Sequence, residues 1–149
     1  MAETLGMLCD KLSIIKLKQF HTEDPERQKD LGIQAQQLRD EIDGYIADAV
    51  TGKINPERMV FAANKVFKQE GNEVSGPVGG LGEVFYELAD VNCKLWHEQE
   101  KVYEFENVPA QDKDGVVKQL ALLNLKRNKC IDAINGLFRE LIINKTTKK

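Results

Sequence analysis

Four prolines, three cysteines and 7% aromatic residues are all that this chain of 149 residues holds of the types that interrupt, staple or stack. With so few prolines, and long stretches free of glycine, the backbone meets little that would stop a helix. Cys9, Cys93 and Cys130 lie far apart and none belongs to a C-x-x-C pair. An odd count without such a framework excludes a disulfide scaffold and reads as reduced, core-filling thiols of a cytoplasmic protein. Positive charge is not in excess either. The 21 Lys and Arg against 24 Asp and Glu leave a net charge of −3, whereas a dedicated nucleic-acid binder carries a basic surplus. No run approaches about 18 uncharged apolar residues, so no membrane span is expected. Residues 1–11 carry an early acid and no basic stretch before an apolar run, so no secretory signal is expected. The two histidines, His21 and His97, fit neither H-x-x-x-H nor E-x-x-H. We therefore expect no metal and no cofactor.

What is present is a 42% hydrophobic, 30% charged chain of one-domain size, and its apolar residues recur at helical period. Leu5, Leu8, Leu12 and Ile15 form one stripe from about Thr4 to His21, with Met7, Ile14 and Leu17 beside it. Asp24-Pro25 then supplies an N-cap followed by proline at the first helical position, opening a second helix to about Thr51 through Leu31, Ala35, Leu38, Ile42, Tyr45 and Ala49. Asn55-Pro56 repeats that signal for a short third helix with Met59, Val60, Ala63, Val66 and Phe67 inward. Residues 71–82 hold five glycines and a proline and read as a loop or hinge. A fourth helix is expected over about 83–106, ended by Pro109. A fifth is expected over about 112–144, with Val117, Leu120, Asn124, Arg127, Ile131, Ile134, Phe138 and Leu141 along one seam. No segment alternates at period two. The expected fold is all-α: a single-domain helical bundle over 1–149, of four long helices and one short one, arranged as two antiparallel hairpins.

Function is expected where polar residues occupy core-type positions. On the fourth helix Asn92 and Gln99 interrupt the Phe85, Leu88, Leu95, Val102 stripe. On the fifth, Asn124 and Arg127 do the same, and on the first Asp10 shares the Met7, Ile14, Leu17 stripe beside Lys11. A buried amide left unpaired costs on the order of 1–3 kcal/mol, and a guanidinium more. These groups either satisfy one another as a structural network that fixes helix register, or they line a pocket. In the pocket reading, Arg127 and Lys11 supply positive donors to a small anionic ligand of nucleotide or nucleotide-sugar type. Asp10, Asn92, Gln99 and Asn124 complete its polar wall, and Trp96 offers a stacking face.

Asp10-Lys11-Leu12-Ser13-Ile14 with Lys18, then Asp24-Pro25-Glu26, Asn92-x-x-Leu95-Trp96, Leu123-Asn124-x-x-Arg127 and Ile134-Asn135 together resemble an uncharacterised family of small helical bacterial and phage proteins. Its members carry D-K-L-[ST]-I-L, N-x-x-L-W and L-N-x-x-R blocks, and some are encoded near glycosyltransferases for surface sugars. The resemblance covers the first, fourth and fifth helices. An acidic pair follows L-W in that family, where this chain has Gln99-Glu100, and Tyr103 stands where a basic residue is common. The resemblance implies a helical fold and the choice of polar positions, not a reaction.

Catalytic chemistry finds little footing. No nucleophile elbow is present, and Gly76–Gly82 lacks the G-K-[ST] ending of a P-loop. Asp40-x-x-Asp43 and Glu87-x-x-Asp90 have the spacing used by all-helical, magnesium-dependent nucleotide pyrophosphohydrolases, but such pairs are also common on solvated helix faces. The expectation is a non-catalytic, homo-oligomeric module with neither nucleic acid nor membrane as partner. It binds a small anionic ligand in a polar seam. Alternatives are a protein-interaction or assembly module with a structural network, and the magnesium hydrolase.

Overall fold

The Thr4 side chain accepts a hydrogen bond from the Met7 amide and so starts α1, Leu5–His21. The structure is a computed structural model and describes residues 3–61 and 76–147. After three linking residues, Asp24 caps the Glu26 amide and Pro25 takes the first position of α2, Pro25–Val50. Gly80 precedes α3, Leu81–Tyr103, and a single turn at Phe105–Asn107 leads through Pro109 into α4, Ala110–Thr147. Gly79 has φ +120°, a backbone angle that suits glycine before this helix start. Among the described residues there is no strand, so the fold is an all-α bundle.

The two short links make α1 and α2, and α3 and α4, adjacent antiparallel pairs. α1 also packs against α3 and α4, which makes it the central helix. This explains its two apolar stripes. Leu5, Leu8 and Ile15 are buried, and Met7, Leu12 and Leu17 pack at half-burial around them. Ala35, Leu38, Tyr45 and Ala49 of α2 are buried at the expected spacing, and Tyr45 meets Phe138 of α4 with ring centroids 6.2 Å apart.

Two expectations need correction. Where the third helix was expected, the described residues hold one 3-10 turn at Pro56–Arg58, after which Met59 is buried but Val60 is exposed. Ala63, Val66 and Phe67 lie outside the described residues, as do glycine-rich positions 71–75. The seam of the last helix is also displaced. Val116 is buried where Val117 was expected, and Ile142 where Leu141 was expected; Val117 and Leu141 are exposed. The cause is a change of neighbour along α4. Gln119 and Leu123 lie beside Cys93 and His97 of α3, Asn135 meets α1 at Gly6, and the end meets α2, where Lys145 Nζ donates to the Val50 carbonyl at 3.1 Å. A fixed heptad spacing does not follow a core whose direction turns.

Candidate functional site

Three of the polar residues singled out in the sequence meet where α1, α3 and α4 converge. Asn92 Nδ2 donates to Asp10 Oδ1 at 3.0 Å, and Arg127 Nε stands 3.6 Å from the same oxygen. Asp10 and Asn92 are 7% and 3% exposed. At 3.6 Å the arginine contact is an ion pair rather than a hydrogen bond, and Nε has no other partner among the described residues. The carboxylate and the guanidinium balance one another in charge. The amide satisfies part of the acceptor capacity that burial would otherwise leave unmet.

The other four sequence candidates do not join this cluster. Lys11 turns outward and pairs with Glu3. Gln99 and Asn124 are exposed, which corrects their placement at core-type positions. On α3 the buried stripe is Val84, Leu88 and Val91 with Asn92, while Phe85 is exposed. The core face therefore lies about one position back from the expected seam, and a 3.5-residue stripe carried on to Gln99 leaves it. Trp96 is half-buried at the opposite end of α1, stacked on His21 with centroids 4.7 Å apart and planes at 9°, and its Nε1 donates to Glu100 Oε1 at 2.8 Å.

Asn135 was not among the candidates, yet it is 3% exposed and its Oδ1 accepts from the Gly6 amide at 2.7 Å. The first amides of a helix have no intrahelical acceptor. Thr4 serves one, and Asn135 reaches across from α4 to serve another inside the core. The Ile134-Asn135 pair in the resemblance was the available signal.

Two concavities stand apart from the Asp10 cluster and are lined by other side chains. One is an open groove of about 800 Å³ above α1, formed by Leu12, Leu17 and Phe20 with Phe85, Leu88 and Ala89 of α3. Lys16 is the only charged side chain lining it among the described residues, and Phe20 is 84% exposed at its end. The other is a cleft of about 490 Å³ lined by Lys18, His21, Arg27, Asp30, Gln34 and Trp96. One acid of each pair considered for magnesium is engaged elsewhere, with Asp40 accepting from Gln36 at 3.0 Å and Asp90 pairing with Lys94 at 2.8 Å. Among the described residues, no three His, Cys, Asp or Glu side chains group closely enough to hold a metal ion. No helix among them is long and apolar enough to cross a membrane. Comparison with protein-family models, curated proteins and solved structures finds no match for the chain.

The cysteines offer a check on this packing. Burial raises the Cys9 and Cys130 thiols from the ordinary 9.0 to about 11, with the Asp10 charge adding to the effect at Cys9 and Glu87 at Cys130. Cys93 is exposed. At neutral pH a thiol reagent is therefore expected to modify exposed Cys93 rapidly, half-buried Cys9 slowly and buried Cys130 only in denaturant, since the thiolate is the reactive form. Between pH 9.0 and about 11 the native state retains two protons that the unfolded chain has released, so stability falls as pH rises through that window. A midpoint of urea unfolding unchanged from pH 8 to pH 11 would contradict the assigned burial.

Proposed function

We propose that the protein is a non-catalytic helical interaction module that receives an acidic amphipathic helix from a partner protein in the groove above α1. The observation that carries this reading is the groove. From Cys9 to Phe20 its α1 floor runs about 16 Å, roughly three helical turns, and its lining is apolar apart from Lys16 and a few uncharged polar groups. Helix-in-groove recognition works by laying apolar residues at i, i+3, i+4 and i+7 into such a trough. An exposed phenylalanine beside an apolar patch is also what a binding surface presents before it is covered. Charge selects the occupant. With Lys16 in the trough and no carboxylate among the described residues lining it, a helix flanked by Glu or Asp is complementary. A second copy laying the same face on its twin would add a second lysine and, among the described lining residues, no acid to pair with either.

In this reading Asp10, Asn92 and Arg127 form the structural network that holds α1 in register with the α3 wall, and bind no ligand themselves. The protein is read as cytoplasmic, with reduced thiols, and the small-ligand expectation passes to a different surface.

Cys93 lines the groove and supplies the test. A synthetic helix with a leucine stripe flanked by glutamates is expected to slow Cys93 alkylation at least about tenfold at saturation, and Leu17→Asp is expected to abolish the protection. Protection by a scrambled peptide of the same composition, or none by the ordered one, would refute the proposal. So would protection that grows with protein concentration alone while light scattering reports a dimer, since the groove would then belong to a second copy.

A further inference from the structure

We infer a second recognition site, independent of the groove: the cleft between the end of α1, the start of α2 and Trp96 binds a small phosphate-bearing ligand. The chain as a whole is acidic at −3, yet Lys18, Arg27 and His21 converge on this one concavity, where Asp30 is the single carboxylate among the described residues. Among the described residues, neither Lys18 nor Arg27 has an acid within ion-pair distance. Cations gathered at a surface repel one another unless an anion shares them, and phosphate oxygens accept charge-assisted hydrogen bonds from both guanidinium and ammonium donors. An imidazole N–H adds a further donor.

The cleft also has the parts that hold an organic group. Trp96 and Leu31 provide apolar wall, while Gln34 and Thr22 provide neutral donors and acceptors. His21 lies flat on Trp96, so a donor and an aromatic surface are pre-positioned relative to each other. The volume of about 490 Å³ falls within the ordinary range for a small-molecule site. Lys18 and Trp96 come from elements far apart in sequence, and Arg27 is two residues beyond a cap and a proline that fix where α2 begins. The site is thus assembled by the fold rather than by one helix end. Phosphate is the shared chemistry of inorganic pyrophosphate, nucleoside diphosphates and sugar phosphates, and these separate by experiment.

Trp96 is the chain's only tryptophan, so its emission reports this cleft alone. Inorganic pyrophosphate, adenosine diphosphate and glucose 1-phosphate are titrated into the full-length protein, with potassium chloride at matched ionic strength as the reference. At least one phosphate compound is expected to change Trp96 emission saturably. The dissociation constant should be about tenfold or more weaker in Lys18→Ala and in Arg27→Ala, and unaltered in Lys53→Ala, which lies in the turn after the far end of α2. A response to the nucleotide alone assigns the organic wall a role, and a response to all three assigns recognition to the phosphate. The inference is overturned if no compound gives a saturable change, if chloride reproduces it, or if the Lys18→Ala/Arg27→Ala double variant, with unaltered helical circular dichroism, retains wild-type affinity. Because Cys93 labelling reads the groove and Trp96 emission reads the cleft, failure at one site leaves the other standing.

Discussion

Gly6→Ala is expected to lower stability by about 3 kcal/mol, a drop of roughly 6–12 °C in Tm for a domain of this size. α1 and α4 approach so closely at this point that a Cβ on Gly6 would press into the Ile131 carbonyl oxygen and stand 2.9 Å from Asn135 Oδ1. The obstacle is backbone, which cannot swing aside like a side-chain end. Separating the helices would also stretch the hydrogen bond from the Gly6 amide to Asn135, worth about 1 kcal/mol. The exposed helical Gly44 makes the opposite case. A Cβ there meets nothing within 4 Å, and Gly44→Ala should stabilise by about 0.5–1 kcal/mol through helix propensity. Thermal unfolding followed at 222 nm decides both. Equal Tm for Gly6→Ala and wild type would mean that α1 and α4 are not in contact at this crossing.

Asp10→Ala is expected to cost a similar amount, about 2–4 kcal/mol, for an electrostatic reason. It leaves the Asn92 amide and the Arg127 guanidinium without their shared acceptor in a site where Asn92 is 3% exposed. The Arg127 side chain is 32% exposed, so water relieves part of its loss and keeps the cost below that of a fully buried charge. A double-mutant cycle with Asn92→Ala should return a coupling energy of about 1–2 kcal/mol. Replacing all three at once, as Asp10→Leu, Asn92→Leu and Arg127→Met, should recover most of the stability, because an apolar core there strands no polar group. A triple variant as unstable as Asp10→Ala would show that the cluster contributes something other than mutual satisfaction.

Much of the architecture was legible before the structure. The boundaries of α1 and α2 follow from Thr4, Asp24 and Pro25, because caps and proline act through neighbours within one turn. The pairing of Asp10, Asn92 and Arg127 was legible in outline, since polar residues on apolar stripes must find partners. Gln99 and Asn124 were placed on the same reasoning and proved exposed, because a stripe extended along a long helix assumes a constant neighbour. Asn135 and Gly6 escaped notice because a close helix crossing has no local signature. The two concavities were hidden for a related reason. Trp96 stood out as a stacking face, but Lys18 and Arg27 are unremarkable on their own helices, and among the described residues one face of α1 is left open between α3 and the start of α2.

By itself, then, the sequence determined what short-range physics controls: which segments are helical, where the caps fall and which apolar faces seek cover. Tertiary structure alone decided which polar residues meet and where the surface is left concave. Those outcomes depend on the crossing of helices up to 129 residues apart, and no local rotamer, propensity or period carries that distance.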